Sequence, residues 1–129
     1  MQIDYTALRS IKSGHSASTA YTINVDLKSA DRIPENSGSQ LMSLSGNAVT
    51  TIHNLTVTYA VTTVLLTSST TPSILDMREF LDSVKAGETF AMDISGASAN
   101  YRLKSFKNPY TESREDQAYF RYSFQAYAL

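Results

Sequence analysis

The sequence predicts an α+β fold that is mainly β: an antiparallel β-sandwich or split barrel with one flanking helix at about residues 73–86. Three observations predict it. Apolar residues recur with period two in several separate segments, and with helical spacing in a single one. Strand-like sequence lies on both sides of that helical segment, so the elements are segregated rather than alternating. Ser and Thr make up about a quarter of the chain against few Glu and Lys, a balance that suits strands and turns.

The helix lies within residues 71–87, TPSILDMREFLDSVKAG. Met77, Phe80, Leu81 and Val84 fall at i, i+3, i+4 and i+7 and share one face, with Ile74 one turn earlier. Asp76, Arg78, Glu79, Asp82 and Lys85 take the other face, which is expected to be solvated. Two starts compete. One is Thr71 as cap before a first-turn Pro72; the other is Ser73 with Asp76 three residues on, resembling a capping box. Lys85 in the last turn and Gly87 as a left-handed stop mark the end.

The strands follow in order. Residues 1–18 are weakly patterned and are expected to form a flexible N-terminal arm, with 10–18 (SIKSGHSAS) small and polar. Residues 19–29 give the first clear strand, Tyr21, Ile23, Val25 and Leu27 alternating with polar neighbours. Residues 30–40 (ADRIPENSGSQ) read as a loop through Pro34, Asn36 and Gly38. A strand resumes at 41–44, with a turn or bulge at Gly46 and Asn47. Residues 49–67 make one long bent strand or two, with Leu55, Val57, Tyr59, Val61 and Leu65 on one face. After the helix, 89–95 sets Phe90, Met92 and Ile94 on one face, and 101–106 is a weaker strand. Residues 107–117 (KNPYTESREDQ) read as a polar connection. Residues 118–128 then close the fold with Phe120, Tyr122, Phe124 and Ala126 toward the core.

At 129 residues the chain is expected to be a single domain, 1–129. A net charge of −1 gives no electrostatic draw toward nucleic acid or anionic membranes. The absence of cysteine excludes disulfides and thiolate metal sites. Residues 1–5 carry neither the charged nor the apolar region of a secretory signal, and no apolar run approaches the ~20 residues of a membrane span.

No residue pattern carries catalysis. His15 and His53 are the two histidines, and their spacing is unlike a helical zinc pair. The serines lack a G-x-S-x-G elbow, and Ser13, Gly14 and His15 read as a loop tripeptide. The carboxylate pairs Asp76/Glu79 and Glu79/Asp82 sit one turn apart but are interleaved with Arg78 and Lys85, the pattern of a solvated face. The expectation is therefore no enzyme, no cofactor and no metal. Candidate subunit-contact residues are Ile33 and Pro34 in one polar stretch and Pro109 and Tyr110 in the other. Tyr119 and Arg121 join them on the outer side of the last strand.

From His53 to the C-terminus the order of elements resembles the short minor tail proteins of long-tailed (siphovirus-like) bacteriophages, and the N-terminal half of their distal tail (tail-tip) proteins. The residues that carry the likeness are the helix Met77, Arg78, Glu79, Phe80, Leu81, Asp82, Ser83 and Val84, and the Gly87, Glu88, Thr89, Phe90 junction. The aromatic closing strand at 119–129 completes it. The resemblance implies a structural subunit of the virion tail tip, assembled in the bacterial host cytoplasm as a ring of copies of itself, commonly a hexamer. Its implied partners are the tail-tube protein, the tape measure protein and the baseplate hub, with no nucleic-acid specificity and no membrane insertion. A tail-tube or tail-terminator subunit shares the same ring logic. A small carbohydrate-binding β-domain, with exposed tyrosines as its stacking surface, is the alternative from another class.

Overall fold

The computed structural model describes residues 1–9, 11–42, 48–85 and 87–129, with 36–42 and 48–55 described by their backbone alone. The chain forms β1 (Gln2–Ala7), β2 (Thr19–Asn24), β3 (Leu27–Met42), β4 (Ala48–Thr63), α1 (Ile74–Val84), β5 (Phe90–Met92), β6 (Ala99–Leu103), β7 (Tyr110–Arg114) and β8 (Phe120–Ala128). The strands make a sheet of order β2-β1-β5-β6-β8-β4-β3, with β7 added to β8 beyond the end of β6. The pairings are antiparallel. The architecture is the α+β, mainly β fold that the hydrophobic periods predict.

The core lies between one face of this sheet and α1. Ile3, Tyr5, Ala7, Val61, Phe90, Met92, Tyr101, Tyr122, Phe124 and Ala126 enter it from the strands, and Met77, Phe80, Leu81 and Val84 from the helix. Phe80 sits at its centre. Its ring lies 5.3 Å from Tyr5, 5.1 Å from Phe90 and 6.0 Å from Phe124, in the tilted and edge-on geometries that aromatic quadrupoles favour. The helical stripe is therefore the face that holds the strands together. Ser73 is the cap: its hydroxyl accepts from the Asp76 N–H while the Asp76 carboxylate accepts from the Ser73 N–H, so the capping box is the start that forms. Gly87, at φ +94°, supplies the left-handed stop.

Four expectations are corrected. Residues 2–7 are not part of an arm but form β1, between β2 and β5. Its signal was only three alternating residues, Ile3, Tyr5 and Ala7, all buried. Residues 30–40 are not a loop but the middle of β3, whose whole length pairs with β4. This strand is at the sheet edge, where Pro34 is tolerated because its missing N–H breaks no ladder on the open side. With residues 28–35 exposed, β3 also lacks the apolar alternation that marks a strand in sequence. Residues 110–114, inside the second polar stretch, form β7. Finally, β4 ends at Thr63, so Leu66 rather than Leu65 turns inward, bridging to Phe120. The expected turn at Gly46 and Asn47 lies outside the described residues.

The β3–β4 pair defines the outline of the molecule. β8 pairs with β4 only from Thr58 to Thr62. Pairs from Pro34↔Val57 to Met42↔Ala48 therefore continue beyond the β4–β8 pairing as a two-stranded arm, rooted where Val57 packs against the core, with a register shift between Ser37 and Gly38. Nine residues of strand correspond to about 30 Å.

Candidate functional site

The helix is clasped on both flanks, and its polar residues are what each flank uses. On one side the β1–β2 connection runs along α1, with residues 8–9 and 11–18 described. Glu79, with its side chain wholly buried, gathers its hydrogen bonds. The N–H groups of Ile11 and Lys12 donate to Oε2 at 3.2 Å each, and the Tyr5 hydroxyl donates to Oε1 at 3.0 Å. His15 Nδ1 lies 2.6 Å from the same Oε1, with its ring stacked on Tyr21 at 3.9 Å. Lys12 Nζ pairs with Asp76 at 2.7 Å, and the Leu8 N–H donates to Ser83 Oγ at 3.2 Å. Gly14, at φ +87°, makes the turn that brings His15 back toward the helix.

The electrostatics follow from burial against hydrogen bonding. Burial pushes the Glu79 carboxyl up, but His15, the Ile11 N–H and Tyr5 outweigh it and hold it below the usual range. Asp76 behaves alike: burial raises it, and Lys12 and the Ser73 N–H bring it lower. The Tyr5 hydroxyl is raised by burial and by Glu79, so it stays a donor.

On the other flank, Arg78 grips Glu112 of β7 with two hydrogen bonds of 2.7 Å and lies over the Phe120 ring at 5.6 Å. Tyr122 donates to the same carboxylate at 2.8 Å. The Arg78 hydrogen bond is the largest influence on Glu112, outweighs burial, and keeps it below the usual range. Tyr110 donates to Asp82 at 2.7 Å. The expectation of a solvated helix face is thus corrected for Asp76 and Glu79, which are buried, and holds for Asp82 and Lys85, which are exposed. Asp76, Glu79 and Ser83 form an i, i+3, i+7 stripe beside the apolar one, and it carries the β1–β2 connection. That stripe, with a Ser- and Gly-rich segment elsewhere to fill it, was the available signal.

The candidate contact residues fall in three places. Ile33 and Pro34 lie on β3, facing Thr58 and Val57 in register. Pro109 and Tyr110 lie where the β6–β7 connection enters β7, with Tyr110 turned toward Asp82. Tyr119 is exposed at the β7–β8 turn, and Arg121 on β8 pairs with Glu115 at 3.1 Å. The first two places are tied to each other. Lys104, at the base of the β6–β7 connection, pairs with Glu35, next to Pro34, at 2.7 Å.

A cavity of about 440 Å³ opens between β4, β8 and this connection, lined by Ala60, Thr62, Ser123, Gln125, Pro109 and Tyr110 among others. Among the described residues its lining holds hydroxyl and amide groups and no carboxylate, histidine or lysine, a lining for contact rather than acid–base chemistry. Among the described residues no group of three His, Cys, Asp or Glu is placed to hold a metal ion.

No protein-family model and no curated protein sequence matches the chain. Solved structures do share its fold. One, described as the tail of an empty GTA particle with helical refinement and C6 symmetry, contains a chain 14% identical, matching 98% of this chain and 89% of its own at a TM-score of 0.53. Another, the virion of a native gene transfer agent (GTA) particle, contains a chain 12% identical, matching 85% of this chain and 84% of its own at 0.51. At these identities the likeness is one of fold, and in the first it extends over nearly the whole of this chain.

Proposed function

We propose that the protein is a structural subunit of a phage-like tail, repeated around the tail axis in a ring of its own copies, and that it works by assembly rather than catalysis. The observation that carries this is the fold match over 98% of the chain to a chain of a C6-symmetric tail. The finer reading that fits best is a tube subunit, stacked ring on ring, because that tail was refined as a helix. A distal ring joining tube to baseplate hub is the second reading, favoured by the resemblance of the helix and its Gly87–Phe90 junction to tail-tip proteins. In either reading the partners are further copies of the chain and the neighbouring tail proteins, and the location is the virion.

The β3–β4 arm is the element suited to reach a neighbour. It leaves the body as a two-stranded ribbon whose edge on β3 is open, and open edges pair or pack with other chains unless covered. Ile33, Pro34, Pro109 and Tyr110 would lie at its root, around the Lys104–Glu35 pair, and Tyr119 and Arg121 at the β7–β8 end.

Asn36 and Leu55 face each other in register, so residues 37–54 can be replaced by an Asn-Gly turn without disturbing the pairing of β4 with β8. The shortened protein is expected to keep the wild-type circular dichroism and to fail to form rings or tubes by light scattering and electron microscopy. Normal assembly by the shortened protein would refute the role of the arm. A wild-type protein that stays monomeric at all concentrations would refute the ring itself.

A further inference from the structure

The β3–β4 arm is pinned where it leaves the body. β4 pairs with β8 as far as Thr58, and Val57, the next residue outward, packs against the core. One pair farther out Glu35 faces Thr56, and the Glu35 carboxylate accepts from Lys104 Nζ at 2.7 Å. Lys104 belongs to the body. Its N–H donates to the Gln125 carbonyl of β8 at 2.8 Å, and the connection after it is braced by the Asn108 N–H donating to Ser105 Oγ at 3.1 Å. Among the side chains described, no other hydrogen bond or ion pair joins the ribbon, from Glu35 and Thr56 outward, to the body.

The pair does not join neighbours in the sheet. Lys104 follows β6 and Glu35 lies on β3, with β8 and β4 running between them. At ~4.8 Å per strand spacing, a flat sheet would set the two backbones about 14 Å apart from side to side. The ion pair therefore bridges two strands, and Ser105, next to Lys104, lines the cavity that the β6–β7 connection makes with β8 and β4. A two-stranded ribbon without a third strand is weakly held by itself, so a tie at its root bears on where it points.

We propose that Lys104 is the strut that sets the direction of the arm, a positioning residue for assembly that acts through Glu35. The inference rests on the reading of the arm as the element that reaches a neighbouring copy. A heterologous contact closes a ring only at one rotation, so every copy must present its arm at the same angle. Exposed ion pairs add little to stability, because water and salt screen them. The same bond can still choose between orientations of a ribbon, where a bias of a few-fold is enough to shift the population.

The chain has no cysteine, so spin labels on Thr50→Cys in the arm and Ser98→Cys between β5 and β6 report the arm's direction as a distance by electron paramagnetic resonance. Wild type is expected to give one narrow distance distribution and Lys104→Ala a broad one. The two should melt alike, because both partners of the pair are exposed. By light scattering, Lys104→Ala and Lys104→Glu should raise the concentration at half-assembly about fivefold or more. The exchange Lys104→Glu with Glu35→Lys should restore both readouts, which the loss of a merely structural contact would not allow. If wild type assembles and Lys104→Ala matches it in distances and in assembly, the strut is refuted and the tail reading stands. Broadened distances with unchanged assembly would refute the positioning role. An exchange variant as impaired as Lys104→Glu would refute the action through Glu35. A wild-type protein that never assembles refutes the ring and the role of the strut within it.

Discussion

Glu79→Ala separates a solvated helix face from a clasp. A surface Glu→Ala in a helix changes stability by about 0.5 kcal/mol or less. The structure gives a larger figure. Removing the carboxylate orphans the Tyr5 hydroxyl, which lies in the core at 3% exposure, and an unsatisfied buried donor costs about 1–3 kcal/mol. The Ile11 and Lys12 N–H groups and His15 lose their shared acceptor too, but water reaches them when the connection lifts away. Its regained chain entropy offsets part of their loss. The desolvation that Glu79 suffers in the folded state also disappears. The balance is about 1–3 kcal/mol, most of it from Tyr5. Urea denaturation should show this loss, and hydrogen exchange should show faster amide exchange at residues 11–18 while α1 and β8 stay protected. A variant within 0.5 kcal/mol of wild type, with unchanged exchange at 11–18, would refute the clasp.

Two further outcomes are expected. Phe80→Ala should cost about 3–5 kcal/mol through the cavity left among Tyr5, Phe90 and Phe124, whereas Arg78→Ala should cost about 1–2 kcal/mol, because its bidentate grip on Glu112 is half exposed; equal losses in denaturant melts would contradict the packing. Acid should also destabilise the fold. Asp76, Glu79 and Glu112 are all held below their usual range, so the unfolded chain binds protons more readily, and their contribution is complete above about pH 5 and lost as the pH falls through the lowered folded values. Glu79→Gln should flatten that dependence, and a melting temperature independent of pH between 6 and 3 (on the order of the range where carboxylates titrate) would refute the linkage.

The sequence by itself determined the elements that bury an apolar face. The stripe Ile74, Met77, Phe80, Leu81 and Val84, the alternation of Tyr21 and Ile23, and that of Phe120 to Ala126 are periodic because each meets the core on one side, and period is visible along a chain. Ser73 and Gly87 were legible for a related reason: a cap and a left-handed stop are local chemistry. Only the tertiary structure decided the rest. β3 is a strand because β4 supplies its partner residue by residue, and an exposed edge strand needs no apolar alternation, so Pro34, Asn36 and Gly38 read as a loop until the partner is in place. Glu79 looked solvated because the groups that bond its carboxylate lie 64 to 74 residues away from it in the chain. A carboxylate's environment depends on what folds over it, and nothing within one helical turn of Glu79 records that His15, Ile11 and Tyr5 will converge there.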